Sequence, residues 1–157
     1  MKKLPIYFFS EDIAFTLKEK ALVRTWINQT IVQEGYSLNS LNFIFCSDAY
    51  LLTINQDYLK HNTYTDIITF DNSDVPGKIM GDIFISIERI FENAQKFNVP
   101  QRDEIHRVII HGTLHLLGYA DKSKADKERM TQKEDEYLAL RNFYHRDSNL
   151  CRWLSLC

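Results

Sequence analysis

Apolar residues recur along this chain with two alternating periods, which predict strands and helices in turn. Residues 4–9 (LPIYFF) form a short apolar run with a proline near its start, as an edge strand allows. Between 16 and 34, Leu22 with Trp26, and Val23, Ile27 and Ile31, fall in adjoining rows at helical spacing. Residues 41–46 (LNFIFC) read as a strand, and Ser47 is placed to cap a helix near 48–60. The runs TDIITF at 65–70 and GDIFIS at 81–86 flank a segment containing Pro76-Gly77, so they predict a hairpin. Three helices follow at about 87–97, 101–117 and 124–143. Pro100 stands at an early helix position, and Ser123 with Asp126 resembles a capping box. The expected fold class is α+β, a small mixed β-sheet of about four strands packed with about five helices. Residues 1–143 form the expected domain, and 144–157 a C-terminal tail in which no period assigns an element.

Composition narrows the setting. At 157 residues, with 45% hydrophobic and 25% charged residues, the chain suits one soluble domain. Three cysteines, Cys46, Cys151 and Cys157, make no CxxC pair, which points to a reducing compartment. Cys46 lies in an apolar run and is expected to be a buried free thiol. The opening MKKLPIYFF looks like a leader, but Ser10, Glu11 and Asp12 end its apolar part too soon. No stretch approaches the ~20 apolar residues of a membrane span. A cytoplasmic protein without membrane contact is expected. The formal net charge of −2 shows no general basic excess, so any nucleic acid would have to meet a local patch.

One segment carries chemistry: His111-Gly-Thr-Leu-His115-Leu-Leu-Gly118-Tyr-Ala-Asp121. Histidines four residues apart on a helix face the same way, so both imidazoles can reach one ion. Gly118 can end the helix in a left-handed conformation and let the chain fold back to present Asp121. This is the ligand spacing of a metzincin metal site. The expectation is one transition-metal ion per chain, zinc first, at the end of a helix, bound by His111, His115 and Asp121. Three protein ligands leave a position for water, whose pKa a metal lowers towards ~7. In HExxH proteases a glutamate follows the first histidine; here that position is Gly112, which argues against peptide hydrolysis.

HGTLHLLGY, with INQDYL at 54–59, TDIITF at 65–70 and GDIFIS at 81–86, resembles the YbeY family of bacterial rRNA maturation endoribonucleases. The resemblance covers about residues 40–140. It implies a metal-dependent, single-strand endoribonuclease of the bacterial cytoplasm, acting in 16S rRNA 3′-end maturation and ribosome quality control. RNA and the ribosomal subunit are the partners it implies. Two positions depart from the family pattern: Asp121 stands where a third histidine is usual, and Leu59 where an arginine commonly follows the tyrosine matched by Tyr58. Lys60 or His61 is expected to supply the missing positive charge, without arginine's bidentate fork. Asp66 or Asp82 is expected either to hold a ligand histidine from behind or to be an ordinary strand-end carboxylate. Tyr119 is expected to stack on a base or to pack. Lys122, Lys124, Lys127 and Arg129 would attract phosphate or form a solvated helix face. His106 projects from another face and receives no role; His145 lies in the tail. Two other functions fit the same residues: a ribosome-assembly binding factor with a structural metal, and a metallohydrolase of a small molecule or peptide.

Overall fold

Aromatic and β-branched residues extend four segments into one sheet. They are β1 (Ile6–Ser10), β2 (Ser37–Cys46), β3 (Ile67–Asp71) and β4 (Lys78–Ser86), in the order β1-β2-β4-β3. In the computed structural model, which describes residues 3–61, 65–141 and 143, five helices accompany the sheet. These are α1 (Lys20–Gln33), α2 (Asp48–Leu59), α3 (Ile87–Phe97), α4 (Gln101–Leu116) and α5 (Lys124–Ala139). β1 and β4 each run parallel to β2, while β3 pairs antiparallel with β4 across the turn that contains Gly77. The mixed α+β fold is therefore the one the apolar periods predict, including the hairpin.

Period-two alternation sorts side chains to the two faces of the sheet. Leu41, Phe43 and Phe45 of β2 and Ile79, Ile83 and Ile85 of β4 join α1 and α4 in the main core. Cys46 and Ile68 instead meet Leu51 and Ile54 of α2 in a smaller cluster. Cys46 is a buried free thiol, as expected, and burial with the nearby carboxylates pushes its pKa up to about 12. No described helix is long and apolar enough to cross a membrane.

Three boundaries differ from the sequence expectation. The first helix begins at Lys20, not 16, because Glu19 before it takes a left-handed φ of 58° and holds Arg102 at 2.8 Å. Leu17 still enters the core, so its apolar character belonged to the packing of a loop and not to helical periodicity. β2 starts at Ser37, four residues early, because Ser37 and Leu38 pair with Lys78 and Ile79 before a register shift at Leu38/Ser40. That polar stretch has no β signature of its own; the partner strand extends it. The last helix closes at Ala139 with Leu140 as its cap. The expected tail, 144–157, lies outside the described residues.

α4 lies against β3 and β4 and is the element that carries the histidines. Its contact with the sheet depends on Gly112, whose missing Cβ would sit 2.8 Å from Ile67 Cδ1 and 3.0 Å from Ile83 Cγ2. The side of α4 at position 112 thus faces the sheet, and the helix turns His111 towards α5.

Candidate metal centre

α4 ends in a Schellman arrangement. Gly118, with φ 96°, donates its N–H to the His115 carbonyl, and Tyr119 N–H reaches back to Leu114. A residue with a Cβ would be strained at that φ, so the glycine is what lets the chain reverse directly after His115. The reversal brings Asp121, in the connection to α5, beneath the two imidazoles. α5 then begins at Ser123, whose hydroxyl accepts from the Asp126 N–H at 3.0 Å, the cap the sequence predicts.

Three donor atoms converge here. His111 Nε2 and His115 Nε2 are 3.0 Å apart, and Asp121 Oδ2 lies 3.2 Å from His115 Nε2 and 3.3 Å from His111 Nε2. The imidazole planes cross at 82°, so the two rings aim at a common point and do not stack. In a tetrahedral zinc site with ligand bonds of ~2.0–2.1 Å, neighbouring ligand atoms stand ~3.3 Å apart. The observed triangle matches that spacing, and two neutral nitrogens with one carboxylate oxygen suit zinc and also iron or manganese. Among the described residues these three are the group able to hold a metal ion. The histidines are about one-quarter exposed and Asp121 more, so the site is open on one side.

A fourth residue completes the arrangement, and the sequence did not reveal it. Glu134 of α5 accepts the His111 Nδ1–H at 2.6 Å through Oε2, and its Oε1 accepts from Arg107 Nη1 at 2.8 Å. Burial works against a charged His111, but Glu134, with Asp66 and Asp121 nearby, outweighs it and raises the His111 pKa. The available signal was the buried row Met130, Glu134 and Tyr137 on α5, in which a carboxylate occupies an otherwise apolar stripe.

The other anticipated residues fall elsewhere. Asp82 accepts hydrogen bonds from Asn42 and Asn72, at 2.9 and 3.2 Å, and is an ordinary sheet carboxylate. Asp66 precedes β3 and acts on His111 through its charge, while the hydrogen bond is to Glu134. Lys60 caps α2 with a left-handed φ of 55°, and His61 follows it; both are exposed. Among the described residues, no hydrogen bond or ion pair joins either of them to the three donors. Tyr119 donates its hydroxyl to Glu34, as does Tyr137, and Arg129 lies 5.4 Å over the Tyr119 ring. Tyr119 therefore packs. Burial alone would raise the Glu34 pKa, yet the two phenols and Lys133 lower it, so this carboxylate ties α1, the metal-site turn and α5 together as an anion. His106 is buried between Trp26 and Phe143, beside Arg141, away from the donors.

The family model described as Endoribonuclease YbeY matches residues 7–142, from β1 to beyond α5. The chain belongs to the YbeY family. Endoribonuclease YbeY of Cytophaga hutchinsonii is 55% identical over 91% of this chain and 100% of that protein. Endoribonuclease YbeY of Flavobacterium psychrophilum is 50% identical, covering 84% of this chain and 94% of its own. Among solved structures, TM1509 of Thermotoga maritima, determined in solution, is similar with a TM-score of 0.57 at 26% identity. The match covers 85% of this chain and 86% of that one. The family match spans α4, its glycine turn and α5.

Proposed function

We propose that the chain is a metal-dependent endoribonuclease that cleaves single-stranded rRNA precursor, acting in 16S 3′-end maturation and ribosome quality control in the bacterial cytoplasm. The observation that carries this reading is the triangle of His111, His115 and Asp121, with sides of 3.0–3.3 Å, inside a chain of the YbeY family. Zinc is the ion proposed. When bound, it supplies a lowered pKa to water and a positive charge for a phosphate oxygen. The chain's own residues do the rest. His111 keeps its proton on Nδ1, engaged by Glu134, and so offers the Nε2 lone pair; His115 Nε2 and Asp121 Oδ2 close the set. The Gly118 turn fixes the third donor relative to the other two. Gly112 faces the sheet, which leaves no carboxylate where a zinc protease keeps its base and favours a phosphodiester over a peptide. The unpaired side of the site faces solvent, where an extended single strand has access.

Replacing His115 with alanine tests this directly. The variant is expected to purify without bound metal and to leave a single-stranded rRNA fragment uncut while retaining its fold by circular dichroism. Cleavage at the wild-type rate by a metal-free His115→Ala protein would refute the reading.

A further inference from the structure

Helix α5 carries none of the three donors, yet it makes the shortest contact to one of them. Glu134 Oε2 lies 2.6 Å from His111 Nδ1, and the Glu134 side chain is only 9% exposed. Its second oxygen is held by Arg107 Nη1 at 2.8 Å, and Arg107 Nη2 is held in turn by Asp135 at 2.7 Å. Arg107 sits one helical turn before His111 on α4, so the guanidinium and the imidazole rise from the same face and grip one carboxylate between them.

We infer that Glu134 is the positioning residue of the site: it holds His111 in the Nδ1–H tautomer, with the Nε2 lone pair aimed at the metal, while Arg107 fixes the carboxylate's orientation. The inference deepens the proposed function and rests on its metal reading. An imidazole has two neutral tautomers, and only one of them leaves Nε2 free to bind. A buried carboxylate against Nδ1 selects that tautomer before any ion arrives and fixes the ring's rotation. It also makes the imidazole a stronger donor. This matters more here than with three neutral donors. Asp121 is the most exposed of the three donor side chains, 39% against 21% for His111, so the precision of the site has to come from the histidine end.

The test uses the full chain with two readouts, zinc affinity by chelator competition and the His111 tautomer by 15N imidazole shifts in the zinc-free protein. At alkaline pH, where the imidazole is neutral, wild type is expected to show predominantly the Nδ1–H form. Glu134→Ala should weaken zinc binding by ~10–100-fold and let the Nε2–H form appear. Glu134→Gln keeps an oxygen acceptor without the charge, so it should retain the tautomer and lose less affinity. Asp135→Asn, which alters the outer partner of Arg107, serves as a control and should bind zinc within about twofold of wild type. If Glu134→Ala proves unfolded by circular dichroism, Glu134→Gln decides: unchanged zinc affinity there overturns the inference. Unchanged affinity and tautomer in folded Glu134→Ala overturn it likewise, while the metal reading survives. Failure of wild type itself to bind zinc would overturn both.

Discussion

Gly112 of α4 and Gly81 of β4 are glycines placed where the helix meets the sheet. They differ in what a methyl group would strike. At 112 the added carbon meets Ile67 Cδ1 at 2.8 Å and Ile83 Cγ2 at 3.0 Å, the first of which is the mobile end of a side chain. At 81 it meets the Phe70 carbonyl oxygen at 2.6 Å, a backbone atom fixed by the β3–β4 ladder, and Leu116 Cδ1 at 3.0 Å. Alanine gains ~0.5–1 kcal/mol over glycine within a helix or a strand alike, so the contacts set the order. Gly81→Ala is therefore expected to destabilise the fold by ~1–3 kcal/mol, and Gly112→Ala by clearly less. Urea unfolding of the two variants checks the order; an equal or larger loss for Gly112→Ala would contradict the packing described. The same geometry bears on chemistry, because a carboxylate at 112 would be driven into the core and not towards the donors.

At the scale of elements, α4 does two jobs with its two histidine-bearing faces. One face carries His111 and His115; another buries His106 between Trp26 of α1 and Phe143, with Arg141 Nη1 at 2.6 Å from its Nδ1. Burial, and after it the charges of Arg141 and Arg102, push the His106 pKa down to about 3; Asp103 opposes them weakly. In the unfolded chain the same group titrates near ~6.5. Its neutral form thus favours the fold fully above pH ~6.5. As pH falls from there towards 3 the unfolded chain takes up the proton first and stability is lost, at up to ~1.4 kcal/mol per pH unit. By pH 5 the loss through this one group amounts to about 2 kcal/mol. His106→Gln should flatten the decline of stability between pH 6.5 and 5, measured by urea unfolding at each pH. A wild-type profile no steeper than the variant's would show that His106 accepts a proton in the fold. The pair on α4 was legible in the sequence because i and i+4 on one helix is a local relation, and Gly118 marked the turn that adds Asp121. Glu134 was not legible, since its meeting with His111 depends on how α5 packs across 23 residues of chain. Asp82 stayed open between two readings for a related reason: its asparagine partners are known only once the strands are assembled.

For the whole molecule, apolar patterning with cap and turn residues was enough to give the α+β class, the hairpin and the nine elements of the described residues, because most elements bury a stripe of their own. Its failures were at edges where a neighbour sets the structure: the polar start of β2 is a strand only because β4 lies beside it. Net charge gives no general pull on a polyanion, so on this account the metal site and its local surroundings, not the overall field, must engage RNA. Lys122, Lys124, Lys127 and Arg129 are exposed around the start of α5, next to the turn that carries Asp121. The ion proposed to be held by His111, His115 and Asp121 is what would make this YbeY-family chain a nuclease. The most direct measurement is cleavage of a single-stranded 16S 3′ precursor fragment by chelator-stripped protein, followed by stepwise return of zinc. No cleavage is expected without metal, and full recovery at one ion per chain. Undiminished cleavage by the stripped protein would show that the ion is not needed.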